Sequence, residues 1–440
     1  MSVTKKPESI HHFVDHLFRH RAGQMVASLT RIFGLSNLDL VEDAVQDALV
    51  RALKIWPYQG VPSNPTAWLI HVAKNLVLDG CRRSSAWKEK KAEITSMISE
   101  LQRSASGAEP SFAREIRDDQ LRLMFACCHP SITQEQQIAL TLKAVSGFSI
   151  DELARAFLSK STTMAQRIVR AKRALREKQI VLRIPSPDDL PKRLEAVLAV
   201  LYLVFNEGYC ALAGDDLVRT DLCFEAIRLI ELLAEQPSVG EARIHALAAL
   251  FSLQAARLPT RTDTAGDLLL LSEQDRSLWD RSLISLGVKH LARSASGEEV
   301  SAYHLQAEIA CCHTTAESFE ATDWRRILSC YDALLELQPS PVVALNRAIA
   351  LAKVQGPIVG LEALQTIQGH RALRNYHPLW ATRGEFLRQL KRNGEAIASY
   401  EKAMELTSSQ PMRKSLRRRI QLLNNSPPAV NSISRRVDSS

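Results

Sequence analysis

"FSIDELARAFLSKSTTMAQRIVRAKRALR", residues 148–176, is the stretch on which the reading of the fold turns. Ser149, with Glu152 three residues later, marks a helix start in which each side chain satisfies the other's backbone amide. The spacing predicts a short helix over 151–157, a turn over 158–160 and a second helix from near Ser161. Two helices joined by so short a turn make a helix-turn-helix. Along the second helix Met164, Ile168, Ala171 and Leu175 recur at helical spacing and would pack inward. Thr163, Gln166, Arg167 and Arg170 share the other side. In a major groove Arg pairs with guanine and Gln with adenine, while neighbouring Lys172 and Arg173 would meet phosphates. From Lys160 to Arg183 there are eight basic residues against one acid, Glu177. The plainer alternative is a solvated amphipathic helix.

Just upstream, "FACCHPSITQEQQIALTLKAVSGFS" sets Cys127, Cys128 and His129 before Pro130, which ends the preceding helix. Thr133 with Gln136 opens the next one. Adjacent helical residues point about 100° apart, so the two cysteines cannot readily grip one metal ion. They are expected to pack as small apolar groups, with His129 favoured at a helix C-terminus. The same four letters, ACCH, return at Ala310–His313, and this recurrence reads as coincidence. All eight cysteines are expected to be reduced, and no C-x-x-C pair occurs. No metal or cofactor is expected.

The segment before this block holds two further helices. In "NLDLVEDAVQDALVRALKIW" Val41, Ala44, Val45, Ala48, Leu49 and Ala52 share an apolar face. Asp39, Asp43 and Asp47 stack on the opposite face with Gln46 beside them. Such like-charge stacking costs stability and points to a basic protein partner, or else only to solubility. In "NPTAWLIHVAKNLVLDGCRRSSAWK" Trp68, His71, Asn75, Asp79 and Arg82 share one face, and Leu69, Val72, Ala73 and Leu76 the buried one. Such a face suits unpaired bases: the ring stacks, Asn75 bonds a base edge, and Lys74, Arg82 and Arg83 hold phosphates.

Residues 1–183 carry 27 Lys+Arg and 18 Asp+Glu, whereas the remainder carries 29 and 30. The excess positive charge therefore belongs to the first two-fifths of the chain, which implies a polyanionic partner there and a different task beyond.

Together these blocks resemble the extracytoplasmic-function sigma factors of the sigma-seventy family. Region two is expected over 8–85 and region four over 112–182, with a linker over 86–111. "EDAVQDAL" resembles that family's polymerase-clamp helix, "AWLIHVAKNLVLDGCRR" its minus-ten element and "DELARAFLSKSTTMAQRIVRAKRAL" its minus-thirty-five reader. The resemblance implies that Asp43, Gln46 and Asp47, with Asp39 on the same stripe, face core RNA polymerase. Asn75 falls where the family takes a flipped base of the unpaired minus-ten strand. Gln166, Arg167 and Arg170 fall where it reads double-stranded promoter DNA upstream. Leu158 stands where many members have glycine, and "STT" opens the recognition helix in its own way.

The chain continues far past such a protein. Counting from His377, the residues Trp380, Gly384, Leu387, Ala396, Tyr400 and Ala403 follow the tetratricopeptide pattern, with Arg383 departing from it. A looser copy runs through "CYDALLELQPSPVVALNRAIALAKVQG". The pattern predicts a helical extension over 190–423, clearest at 377–410, with a concave surface for a peptide or small protein. The three prolines of "RIPSPDDLPKR" mark its expected start, and 424–440 reads as a disordered tail. Asn206, Glu207 and Tyr209 could form a ligand pocket or simply close a helix. The subgroup with such extensions makes a small DGPF-type protein a candidate partner.

The whole is expected to be all-α, with periodic helices and no alternating β-branched runs. At 46% hydrophobic and 24% charged residues the composition is that of an ordinary soluble chain. No signal peptide or membrane span is legible, so a cytoplasmic location is expected. The expected function is that of a sigma factor without catalysis of its own. The rivals are a helix-turn-helix regulator with a tetratricopeptide-like sensing domain, and a metalloenzyme built on the CCH motifs and Glu207.

Overall fold

The computed structural model describes residues 22–82, 119–157, 159–186, 188–209, 219–236, 241–263, 269–297, 299–407 and 409–425. Among them the regular elements are helices and there is no strand, as the sequence pattern requires. No helix among the described residues is long and apolar enough to cross a membrane. The expected linker, Arg83, Leu158 and nearly all of the expected tail lie outside the described residues.

The chain forms two compact units, one of residues 1–207 with 228–240 and one of 208–227 with 241–440. In the first, helix α1 (22–33) ends at Gly34, whose φ of 84° lies in the left-handed region that glycine tolerates. Helix α2 (Leu38–Gln59) buries Val41, Ala44, Val45, Ala48, Leu49 and Ala52, the face expected from its period. Each buried Val or Leu contributes roughly 1.5–3 kcal/mol. Helix α3 (Pro65–Arg82) starts where the Asn64 side chain accepts from Ala67 N at 3.0 Å, with Pro65 opening the helix. It packs along α2, with Gly80 directly under the Leu40 side chain.

Helix α4 (119–127) carries the first CCH motif at its end, followed by α5 (Gln134–Leu140) and a wide π turn, Thr141–Val145. Cys127 and Cys128 are fully buried. Burial pushes the Cys128 thiol up to about 12, and it lies 3.5 Å from Thr141 Oγ1. His129 departs from the expectation of a cation at the helix end. Its Nδ1 accepts from Ser131 N at 3.1 Å, and burial beside Arg193 holds its pKa below the ordinary value. Helices α6 (Ile150–Ala156) and α7 (Ser161–Glu177) follow.

The proline-rich segment behaves differently from the domain boundary expected there. Ser186 Oγ donates to Asp189 at 3.0 Å and its carbonyl accepts from Leu190 N at 2.8 Å, so this is the capping turn of helix α8 (Leu190–Tyr209). In the first turn of α8, Arg193 donates to the Phe125 carbonyl of α4. Helix α9 (Thr220–Ala234) adds Arg228, which donates to Gln120 Oε1 at 3.3 Å. The first compact unit therefore extends past residue 190.

In the second unit α10 (Ala242–Ala255), α11 (Arg281–Ser294) and α12 (Ala302–Thr315) pack together. They are followed by α13 (Trp324–Leu337), α14 (Pro341–Gln355), α15 (Pro357–Gln368), α16 (His377–Gln389), α17 (Asn393–Leu406) and α18 (Gln410–Asn424). The expected repeat is the α16–α17 pair. Gly384 faces the Tyr400 ring so closely that any side chain would overlap it, and Ala396, Tyr400 and Ala403 are fully buried. Tyr400 donates its hydroxyl to Glu385 at 3.1 Å, and Arg383, the departure from the pattern, donates to Ser399 at 2.6 Å. The looser copy covers the end of α13 and all of α14, where Ala350 is buried one 34-residue repeat before Gly384.

Candidate nucleic-acid interface

The helix-turn-helix forms as its residues dictate. Ser149 N donates to Glu152 at 2.8 Å and Glu152 N donates to Ser149 Oγ at 3.1 Å, which closes the capping box at the head of α6. Helix α6 closes through Ser159 N to the Ala154 carbonyl at 2.9 Å, and Ser161 Oγ donates to Asp151 at 2.6 Å, tying α7 to the start of α6. Met164, Ile168, Ala171 and Leu175 are all buried. Thr163, Gln166 and Arg170 are exposed, and Arg167 is half-buried beside them. Arg173 is exposed and paired with Glu177 at 2.7 Å.

Lys172 requires a correction. Its side chain is only 9% exposed, enclosed on α2 between Asp39 at 2.7 Å and Glu42 at 2.8 Å, and so cannot meet a phosphate in this arrangement. Arg176 adds a second bond to Asp39 at 2.9 Å. Burial opposes the charge of Lys172, but Glu42 and Asp39 outweigh it and hold its pKa above the ordinary value. Burial likewise opposes the Asp39 carboxylate, and Lys172 with Arg176 pulls it below its usual value. Two more contacts join the blocks. Arg31 of α1 meets the buried Asp119 of α4 at 2.9 Å, and Gly23 lies so close to the Val145 carbonyl that no side chain fits.

Asp39 remains exposed, with a side chain 55% accessible, but is already paired to Lys172 and Arg176. Asp43, Gln46 and Asp47 stay exposed, and neither aspartate forms an ion pair among the described residues. Glu42, on the apolar side, was missed by periodicity because one carboxylate among apolar residues gives no sign of a cation 130 positions away.

On α3, His71, Asn75, Asp79 and Arg82 are exposed along one face. Asn75 Nδ2 and His71 Nε2 are 3.1 Å apart, and Arg82 reaches Asp79 at 3.4 Å. Trp68 departs from this set: it is half-buried, edge-on to Trp56 with centroids 5.4 Å apart. Lys74, expected on a phosphate, is 5% exposed, and burial lowers its pKa. It is buried on the same helix as Ile70, Val77 and Cys81, where the fuller face had been assigned to Val72 and Leu76. Both of the latter are half-buried.

The second CCH motif sits on α12. Burial raises the thiols of Cys311 and Cys312, the latter to about 11, which leaves them protonated. No group of three His, Cys, Asp or Glu side chains that could hold a metal occurs among the described residues.

Comparison with known proteins agrees with this geometry. Residues 17–86 match Sigma-70 region 2, residues 122–175 match Sigma-70, region 4, and residues 193–295 match a family of unknown function, DUF6596. The uncharacterized protein R00370 of Rhizobium meliloti (strain 1021) is 41% identical over 387 residues, covering 88% of this chain and 90% of that protein. No solved structure matches. With both sigma regions present in order and a helical extension behind them, the chain belongs to the sigma-70 family, as an extracytoplasmic-function-like sigma factor acting in transcription initiation.

Proposed function

We propose that the chain binds core RNA polymerase through Asp43, Gln46 and Asp47 of α2. It then takes the unpaired minus-ten strand on the His71–Asn75–Asp79–Arg82 face of α3. Thr163, Gln166, Arg167 and Arg170 of α7 read the minus-thirty-five element, and the C-terminal half regulates the process. The observation that carries this reading is the pair of open faces: the acidic residues of α2 and the polar residues of α7 are left exposed while their apolar sides are buried. An exposed acidic stripe suits a basic protein surface, and an exposed Arg/Gln face suits base edges. The closed pairing of Lys172 with Asp39 and Glu42 belongs to the unbound chain. A DGPF-type protein on the concave repeat surface is the candidate regulator. The test is run-off transcription with purified core polymerase on promoters selected by the chain. Sequence-specific DNA binding without any polymerase-dependent transcript would instead favour a plain helix-turn-helix regulator.

A further inference from the structure

The second compact unit contains a basic cluster that none of the sigma functions uses. Arg257 follows α10, Arg261 follows the short 3-10 turn Leu258–Thr260, and Arg276 opens another, Arg276–Leu278. His313 lies in the last turn of α12. The guanidiniums are held by aromatic faces. Arg261 sits 3.9 Å from the centroid of the Tyr209 ring, and Arg276 and Arg257 sit 4.6 and 5.9 Å from that of Trp279. Trp279 is fixed in turn, donating its indole N–H to Thr260 Oγ1 at 2.8 Å. A ring face attracts a cation but brings no negative charge, and it leaves the in-plane N–H edge of the guanidinium unused.

Those edges are the notable feature. Nε of Arg257, Nε of Arg261, Nη2 of Arg276 and Nδ1 of His313 are all shielded from solvent and have no hydrogen-bond partner. Arg276 uses its other terminal nitrogen on the carbonyls of His313 and Ala316, at 2.7 and 2.8 Å. Among the described residues none of the three guanidiniums forms a salt bridge, and the group that offsets burial at Arg257 is the Tyr209 phenol. Burial holds the pKa of Arg257 below the ordinary guanidinium value, with Arg261 adding to the effect, and burial with Arg257 does the same to Arg276. His313 is pushed down to about 3 by burial and by these two arginines, so it stays neutral. The carboxylate acting on Arg276 is that of Glu320, which is exposed. An enclosed cation without its counterion is among the most costly arrangements in a folded chain, and here guanidiniums are gathered rather than dispersed.

We propose that Arg257, Arg261, Arg276 and His313 form a binding site for a tetrahedral oxyanion of the phosphate type, either free or carried on a small ester. A planar carboxylate offers one charge and two oxygens. A phosphate group offers about two charges and oxygens on several sides, which suits forks arriving from three separate turns. The three arginines, Tyr209 and Trp279 all fall in the segment that matches the family of unknown function, so the site gives that segment a chemical role.

The test uses the full-length chain at neutral pH, titrated with inorganic phosphate, with glycerol phosphate as the ester, and with acetate at matched ionic strength. Calorimetric binding and the thermal midpoint are the readouts. Phosphate or its ester is expected to bind saturably and raise the midpoint, whereas acetate leaves it where chloride does. An ester that binds at least about tenfold tighter identifies the ester as the natural source, and equal affinity identifies the free ion. Arg257→Gln is expected to weaken binding at least about tenfold, yet to raise the midpoint in chloride, because it removes an enclosed unpaired charge. Arg257→Lys, which keeps the charge and loses the fork, is expected to weaken binding without that rise. The proposal is overturned if phosphate and its ester act no differently from acetate, or if Arg257→Gln binds as the parent does. It is overturned equally if Arg257→Gln lowers the midpoint in chloride, the mark of a structural arginine.

Discussion

On the recognition helix, Lys172 shows how the role of one cation depends on what the folded chain brings beside it. Replacing it with Met leaves Glu42 buried without its counterion, at an expected cost of about 3–5 kcal/mol. Adding Glu42→Gln should recover most of this, and hydrogen exchange in α2 and α7 is the measurement. The pH signs follow from the shifts. The raised pKa of Lys172 stabilises below about 10.4 and is lost as alkali carries pH through the folded value, while the lowered Asp39 stabilises above about 3.9 and is lost in acid. His313 has the opposite character to Lys172. Its pKa is depressed, so the unfolded chain takes up a proton first, and stability falls as pH drops from about 6.5 by up to about 1.4 kcal/mol per unit. His313→Asn should flatten that slope in acid-unfolding curves. Asn75→Ala should impair promoter opening more than polymerase binding, because its side chain is exposed and its partner is His71 on the same helix. Equal loss of both would assign Asn75 a structural role. At this scale the sequence was partly legible. Buried positions such as Met164 and Val41 follow from local period, but Lys172 and Asp39 are 133 positions apart and no local pattern pairs them.

At the scale of single helices, α2 divides its acids between two tasks. Asp39 is paired within the chain, to Lys172 and Arg176, while Asp43 and Asp47 form no ion pair among the described residues. Reversing both to Lys should abolish co-purification with core polymerase while circular dichroism stays helical, since neither residue supports the fold. Retention of polymerase by that variant would reduce the stripe to a solubility feature. Helix identity and facing were legible wherever an apolar stripe ran for several turns, as in α2, α7 and the α16–α17 pair. The face of α3 was harder to read. Trp56 lies outside the α3 sequence, yet its ring meets Trp68, and Lys74 is buried by neighbours that the α3 period does not reveal.

For the molecule as a whole, the compact units do not follow the boundary that proline content suggests. The prolines near residue 187 accompany a capping turn, and α8 beyond it holds the Phe125 carbonyl through Arg193. A fragment ending at Arg183 should therefore unfold at lower urea than one ending at Gly240, because only the longer keeps α8 and α9 over α4. Equal midpoints for the two fragments would restore the boundary at 190. Proline favours the first turn of a helix, and Pro191 stands there in α8. That preference carries no information about what the helix will pack against.

The π turn at 141–145 has a consequence best put in terms of genetics. Such a turn is an α-helix that holds one more residue than its hydrogen-bond spacing needs. A one-codon insertion there would leave composition almost untouched, yet, with one surplus residue already accommodated, would turn everything downstream by about 100° and push it on by about 1.5 Å. The Val145 carbonyl would leave its seat against Gly23, and the α7 cations would no longer point at α2. The reading frame would be intact, while the chain could no longer close on itself.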